Sequence, residues 1–375
     1  MVRVRTWVAA AAAALVLAAP AQAGAPAVSA QTFIVENPAT GEILAQKGAW
    51  GKAPIASITK LMTVIVTLDN AKLDDVVRVR SGAAAVGEST INLHAGERLT
   101  VGDLIKAALI QSANDAADAL ALHVGKGNRA AFVALMNEKA KELGLEHTHF
   151  ATPDGLDTAG NYSTAFDVTK LAQAAMAHPE VRSVVKLKTG SIAGGRQLHT
   201  WNDLLGVFRG LYGVKTGHTN RAGWCEVAAV KRNGVTLYTT VLGSPTRSQR
   251  NADLTALLSW GISRYRPVWL VEPGRTYMLS HVGYGKKPVA LVAERGLVRP
   301  VRVDRPLVER VVAPSVVDLP VRAGQRLGEV RVYSGRRLVA RRTLVAQRSV
   351  AEPSFGDRIG FYTGRTFDHI GDWFS

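Results

Sequence analysis

The passage Gly213-Val214-Lys215-Thr216-Gly217-His218-Thr219, then Trp224-Cys225-Glu226-Val227-Ala228-Ala229-Val230, then Asn233-Gly234 and the run from Val235 to Gly243, decides how this chain is read. The three runs are rich in β-branched and aromatic residues and are bounded by turn formers. Asn-Gly is the pair that a two-residue hairpin favours, because both of its positions accept positive φ. A three-stranded antiparallel meander is therefore expected, with a helix over Ala252–Tyr265 returning from it.

Residues 31–48 predict a second hairpin, with Phe33-Ile34-Val35 before a turn built on Asn37-Pro38 and Thr40-Gly41, and Ile43-Leu44-Ala45 after it. Between the two β regions the apolar spacing is helical. Ile58, Leu61, Met62, Ile65 and Leu68 mark a helix that begins at or beside Ser57, with Pro54 just upstream. Further helices are expected over Val101–Val124, Arg129–Leu143 and Thr164–Ala177, the last capped by Thr164 and terminated by Pro179. Strands first, helices in the middle and a meander last imply an α+β domain spanning 31–265, an antiparallel sheet flanked by helices and a helical subdomain. From 268 to 350 short β segments broken by Pro and Gly, such as Val298–Val303, Glu329–Tyr333 and Leu338–Val345, predict a small all-β domain.

The chain has 375 residues and opens with Arg3 and Arg5, an Ala/Leu/Val run to Ala19, Pro20 and the small-residue site Ala21-Gln22-Ala23. Residues 1–23 therefore read as a removed signal peptide; the run is shorter than the ~20 residues that a bilayer span needs. Cys225 is the single cysteine, so an exported protein of this composition is stabilised without a disulfide. Its surroundings suit a small buried strand residue. No His/Cys clustering suggests a metal, and no cofactor is expected. The net charge of +16 is concentrated late: residues 264–348 hold 18 Lys/Arg against 6 Asp/Glu. Outside the cell that field suits anionic headgroups or wall polymers rather than nucleic acid, or simply keeps the surface solvated.

Ser57 and Lys60 stand three residues apart at a helix start, which places them on one face within reach of each other. A serine hydroxyl needs a base beside it, and lysine serves only if burial or a second cation holds it neutral. Alone the pattern is weak, and Ser183 and Lys186 repeat it. Order lends it force: Ser112-Ala113-Asn114 follows 55 residues later, and Lys215-Thr216-Gly217 another 103 residues on. A second Lys-Thr-Gly at Lys188 competes, but Lys215 leads directly into the meander. Gly217 lets another backbone come close to the strand.

These three motifs, with His218 and Thr219 and the flanking Pro54-Ile55-Ala56, Gln111, Asp115-Ala116 and Thr152-Pro153-Asp154-Gly155-Leu156, resemble the signature set of the penicillin-binding D-alanyl-D-alanine carboxypeptidases. The likeness runs from about Phe33 to Val345 and includes Pro320–Gly328. It departs from the family pattern at Thr200-Trp201-Asn202, where Asn-x-Asn is usual before Leu-Leu. The resemblance implies an acylated nucleophile at Ser57, a general base at Lys60, and a proton relay and substrate-amide contact at Ser112 and Asn114. It also implies a carboxylate site at Lys215 and Thr216, and an oxyanion hole of the Ser57 and His218 N–H groups beside Gly217. Arg250, just before the last helix, matches the family position that approaches the terminal carboxylate. The implied substrate is the peptidoglycan stem peptide, and β-lactams are the implied inhibitors.

In residues 353–375, Phe355, Ile359, Tyr362, Phe367, Ile370, Trp373 and Phe374 gather on one helical sector, opposite Asp357, Arg358, Arg365, Asp368 and Asp372. Such a tail suits attachment to the outer face of the cytoplasmic membrane. The glycines at 356, 360, 364 and 371 weaken a helix, and a tail packed on the β domain is the alternative. The resemblance implies an exported, extracytoplasmic enzyme. Rival readings are a cross-link-cleaving endopeptidase, a serine β-lactamase, for which no Glu-x-x-Leu-Asn-like loop is seen between Gly144 and Arg196, and a non-enzymatic wall-binding protein.

Overall fold

The computed structural model describes residues 8–9, 12–15, 24–356 and 358–359. The chain divides into two compact units, Ala23–Ser263 and a second that begins at Arg264. Most of the expected signal peptide, and the tail beyond Ile359, lie outside the described residues; Val8–Ala9 and Ala12–Leu15 pair with the strand Leu307–Pro314.

The first unit is built on an antiparallel five-stranded sheet, in the order Glu42–Lys47, Thr32–Asn37, Val235–Ser244, Gly223–Arg232, Leu211–Thr219. The meander thus occupies three adjacent places, and Leu211–Thr219 is its edge. Both faces are covered. Leu237 meets the helix Arg247–Ser263 where Gly261 leaves room, whereas Thr240, on the opposite face, shares a 2.7 Å hydroxyl contact with Thr169 of the helix Ala165–Ala175. On that second face the helix Lys60–Asn70 packs against the Ala-rich helix Asn114–Val124, which is buried at every residue from Asn114 to Leu122. Alanine is what permits such close helix contacts, and Leu61, Leu104, Leu120 and Phe132 fill the spaces that remain.

Three helix expectations need correcting. The span Val101–Val124 is not one helix: an α-helix Val101–Lys106 widens into a π-turn over Ala107–Gln111 and breaks at Ser112, whose φ is +63°, before Asn114 starts the next helix. The apolar period continues through the break, which hides it. Thr164 does cap its helix, accepting from Asp167 N at 3.0 Å, but that helix ends at Ala175, and Pro179 is the first residue of another, Pro179–Val184. The last helix starts at Arg247 rather than Ala252, which places Arg250 in its first turn.

The second unit contains the strands Leu307–Pro314, Arg326–Ser334, Arg337–Ala346, Val289–Ala293 and Thr276–Val282 side by side, and a separate pair, Tyr265–Val271 with Leu297–Arg302. Val289, Leu291, Val311, Val330 and Leu344 form its core. Arg310, Arg331 and Arg341 stand directly opposite one another across three strands. That like-charge row is tolerable because Glu329 bridges Arg331 and Arg341 and Arg310 lies over the Tyr333 ring.

Candidate active site

Ser57 sits in a 3-10 turn, Ala56–Thr59, that leads into the helix Lys60–Asn70. Ala56 takes φ +47°, and its carbonyl presses on Gly155: a Cβ on Gly155 would lie 2.0 Å from the Ala56 oxygen, so only glycine fits there. This locks the turn against the loop Thr152-Pro153-Asp154-Gly155. The same loop takes up Lys60, whose Nζ lies 2.7 Å from each of three oxygens: Ser57 Oγ, Asn114 Oδ1 and the Asp154 carbonyl. Lys60 is wholly buried. Desolvation, offset in part by Asp154, Glu88 and Asp115, lowers its pKa to about 8.

The break at Ser112 has a purpose that the helical period conceals. A left-handed residue between two helical segments turns its hydroxyl into the cleft, where Lys215 Nζ donates to Ser112 Oγ at 2.8 Å and to the Thr216 carbonyl at 2.9 Å. Asn114 N donates to Ser89 O and Asn114 Nδ2 to Gly87 O, tying the loop 87–93 to the break; Asp115 accepts the N–H groups of Ile91 and Leu93 in the same region. Lys215 is also buried, and its pKa falls well below the usual lysine range through desolvation and then the repulsion of Lys60.

The edge strand Leu211–Thr219 runs against the serine turn. A Cβ on Gly217 would approach Ile55 O to 2.8 Å and Ser57 N to 3.1 Å, so glycine is what lets the two backbones close the floor of the cleft. The cleft encloses about 230 Å³ and is lined by Ser57, Ser112, Thr216, Gly217, His218 and Arg250. Glu88, Ser89, Trp201 and Trp224 complete it. Trp201 Nε1 donates to Gln111 O at 2.9 Å, and the Trp224 ring packs against His218, tilted by 30° with centroids 4.1 Å apart.

Arg250 is 1% exposed and so is a buried cation rather than a surface one. It lies over the Trp224 ring and faces Asp203 at 3.3 Å and Glu226 at 3.1 Å. The duplicate motifs fall away: Ser183, Lys186 and Lys188 are exposed, and Thr189–Ser191 pairs only with Gln197–His199 in a small ribbon. The nine residues singled out from the sequence therefore fall around one cleft: Lys60, Asn114 and Lys215 buried against its wall, the other six lining it. Sequence reasoning missed Glu88, Trp224, Glu226 and the Asp154 carbonyl. A lone glutamate inside an apolar strand was the available signal for Glu226; a backbone carbonyl leaves none. Cys225 is buried, and desolvation raises its thiol to about 12, as suits an inert strand residue.

Such a site can present a nucleophile, a base and a proton relay to a bound acyl group beside a cationic end. A family model described as D-alanyl-D-alanine carboxypeptidase matches residues 19–246. The carboxypeptidase DacC of Escherichia coli is 32% identical over 94% of this chain and 92% of its own length. The Streptomyces sp. K15 carboxypeptidase is 36% identical, covering 64% of this chain and 89% of its own. Among solved structures, penicillin binding protein 5 from Haemophilus influenzae superposes with a TM-score of 0.64 at 27% identity, over 88% of this chain and all of its own. By sequence and by structure, this chain belongs to the D-alanyl-D-alanine carboxypeptidase family of serine D,D-peptidases.

Proposed function

We propose that the unit Ala23–Ser263 removes the terminal D-alanine from peptidoglycan pentapeptide stems through an acyl-enzyme at Ser57, and that β-lactams acylate the same hydroxyl. The observation that carries this is the 2.7 Å contact between Lys60 Nζ and Ser57 Oγ in a pocket that depresses the lysine to about 8. A neutral Lys60 keeps two N–H bonds, matching Asn114 Oδ1 and Asp154 O, and turns its lone pair to the Ser57 hydroxyl, which then donates. Lys60 takes that proton as Oγ attacks the carbonyl carbon of the penultimate D-alanine. The N–H groups of Ser57 and His218 hold the oxyanion. Collapse breaks the peptide bond: the Ser112 hydroxyl, held by Lys215, passes a proton to the leaving amine and regains one from the protonated Lys60, which is thereby neutral again. Water, deprotonated by Lys60, attacks the acyl carbon, and Lys60 returns that proton to Ser57 Oγ as the C–Oγ bond breaks and the shortened stem leaves. Asn114 contacts the substrate amide, and Thr216, Lys215 and Arg250 receive the terminal carboxylate.

Purified protein is expected to release D-alanine from a pentapeptide and to be labelled covalently by a fluorescent penicillin. Labelling that survives Ser57→Ala would refute the nucleophile. The lifetime of the adduct, read by mass spectrometry, separates a peptidase, whose adduct persists, from a β-lactamase, whose adduct hydrolyses at once.

Export through residues 1–23 and peripheral attachment through residues 353–375 complete the reading. No helix among the described residues is long and apolar enough to cross a membrane. Deletion of 353–375 should move the protein from the membrane pellet to the soluble fraction; a truncated protein that still pellets ends the anchor idea.

A further inference from the structure

Glu226 takes no part in the chemistry above, yet it lies at the carboxylate end of the cleft. It stands opposite Thr216 in the antiparallel register, as Trp224 stands opposite His218, so all four side chains project from one face of the sheet. The Glu226 side chain is 0% exposed. Its Oε2 is 3.1 Å from Arg250 Nε, but that N–H is aimed at Asn251 Oδ1, and neither carboxylate oxygen accepts a well-aligned hydrogen bond. The charged groups around it are Arg250 and Arg247 from the helix Arg247–Ser263, Lys215 from the edge strand and Asp203 from the preceding loop, with a looser polar contact from Asn202. Burial outweighs the pull of Arg250 and raises the Glu226 carboxyl to about 7.

Asp203 already holds a two-point pair with Arg247, so Arg250 is the guanidinium that faces Glu226 before any ligand arrives, and a docked C-terminus would bring a further carboxylate onto it. In a desolvated pocket that excess of negative charge is relieved most cheaply by protonating the anion with the poorest partners. We propose that Glu226 is a charge-setting, positioning residue of the carboxylate end: it takes up one proton from solvent as an anionic peptide terminus docks on Arg250, and returns it when free D-alanine leaves. The cycle is neutral in protons over one turnover. The inference rests on the reading of Arg250 as the receiver of the terminal carboxylate.

The test is the pH dependence of KM for a D-Ala-D-Ala-terminated peptide, in the wild type and in Glu226→Gln. In the wild type KM should rise roughly tenfold from about pH 6 to about pH 8.5, because ionised Glu226 competes for Arg250. In Glu226→Gln the rise should disappear, with KM at the alkaline end roughly tenfold below wild type and kcat little changed. A variant that keeps the wild-type rise overturns the proposal. Should Glu226→Gln fail to fold, the wild type alone decides: competitive inhibition by a peptide with a free C-terminus should weaken with pH, and inhibition by its C-terminal amide should not. Equal pH dependence of the two ligands overturns the proposal. A wild type that releases no D-alanine at any pH takes down the underlying functional reading as well.

Discussion

Lys60 carries a conflict between stability and chemistry. Its burial lowers the pKa from 10.5 to about 8, so in the folded protein the amine loses its proton earlier than in the unfolded chain. The sign follows: between about pH 8 and 10.5 the unfolded state holds more protons, and stability rises with pH, recovering about 3 kcal/mol that the buried charge costs at neutral pH. Chemical denaturation at a series of pH values measures this slope, which should shrink in Lys60→Met to the part that buried Lys215 supplies. For activity the neutral amine is the useful form, so the rate of penicillin acylation should climb with pH along a limb centred near 8. Lys60→Met should lower that rate by about 10²–10⁴-fold. An acylation rate flat from about pH 6 to about pH 9 would remove Lys60 as the base.

At the scale of elements, the site is held by close backbone approaches and by the helix Asn114–Val124, buried from Asn114 to Leu122. Gly217→Ala would drive a methyl group into Ile55 O and Ser57 N, so penicillin acylation should fall by more than about tenfold while the fold persists, because the pressure falls on two edges rather than on the core. Circular dichroism with a labelling time course checks both halves of that statement. Leu120 is completely buried in the helix Asn114–Val124, among Ala-rich neighbours that cannot expand into a void. Leu120→Ala should cost about 2–5 kcal/mol in denaturant unfolding. Element identity was largely legible in the sequence, since the meander and the hairpin at 31–48 announce themselves through period and turn chemistry. The helix break at Ser112 was not, because its left-handed residue is held by contacts from the loop 87–93 rather than by its neighbours in sequence.

At the scale of the whole molecule, the cleft belongs to one of the two compact units. The Streptomyces sp. K15 relative, almost all of whose solved chain is matched, spans 64% of this chain, close to the share taken by Ala23–Ser263. The fragment ending at Ser263 should therefore be labelled by a fluorescent penicillin at a rate within about threefold of the full chain, since every group placed around the cleft lies within it. A fragment that folds but is not labelled would assign the second unit a part in the chemistry. The basic excess from 264 onward belongs to that second unit, where the opposed arginines are partly answered by Glu329.

By itself the sequence determined the compartment expected for the chain, the order of strands and helices, and the triple of Ser57-x-x-Lys60, Ser112-x-Asn114 and Lys215-Thr216-Gly217, because periodicity, turn chemistry and motif order are local properties. It also carried two duplicate motifs, at Ser183 and Lys188, that spacing alone could not dismiss. Only the tertiary structure decided that those side chains are exposed while Lys60, Lys215 and Arg250 are buried. It alone set the Asp154 carbonyl on Lys60 and Glu226 behind Arg250. The reason is physical: protonation and charge pairing depend on desolvation and on neighbours a hundred residues away, and neither quantity is written in the local chain.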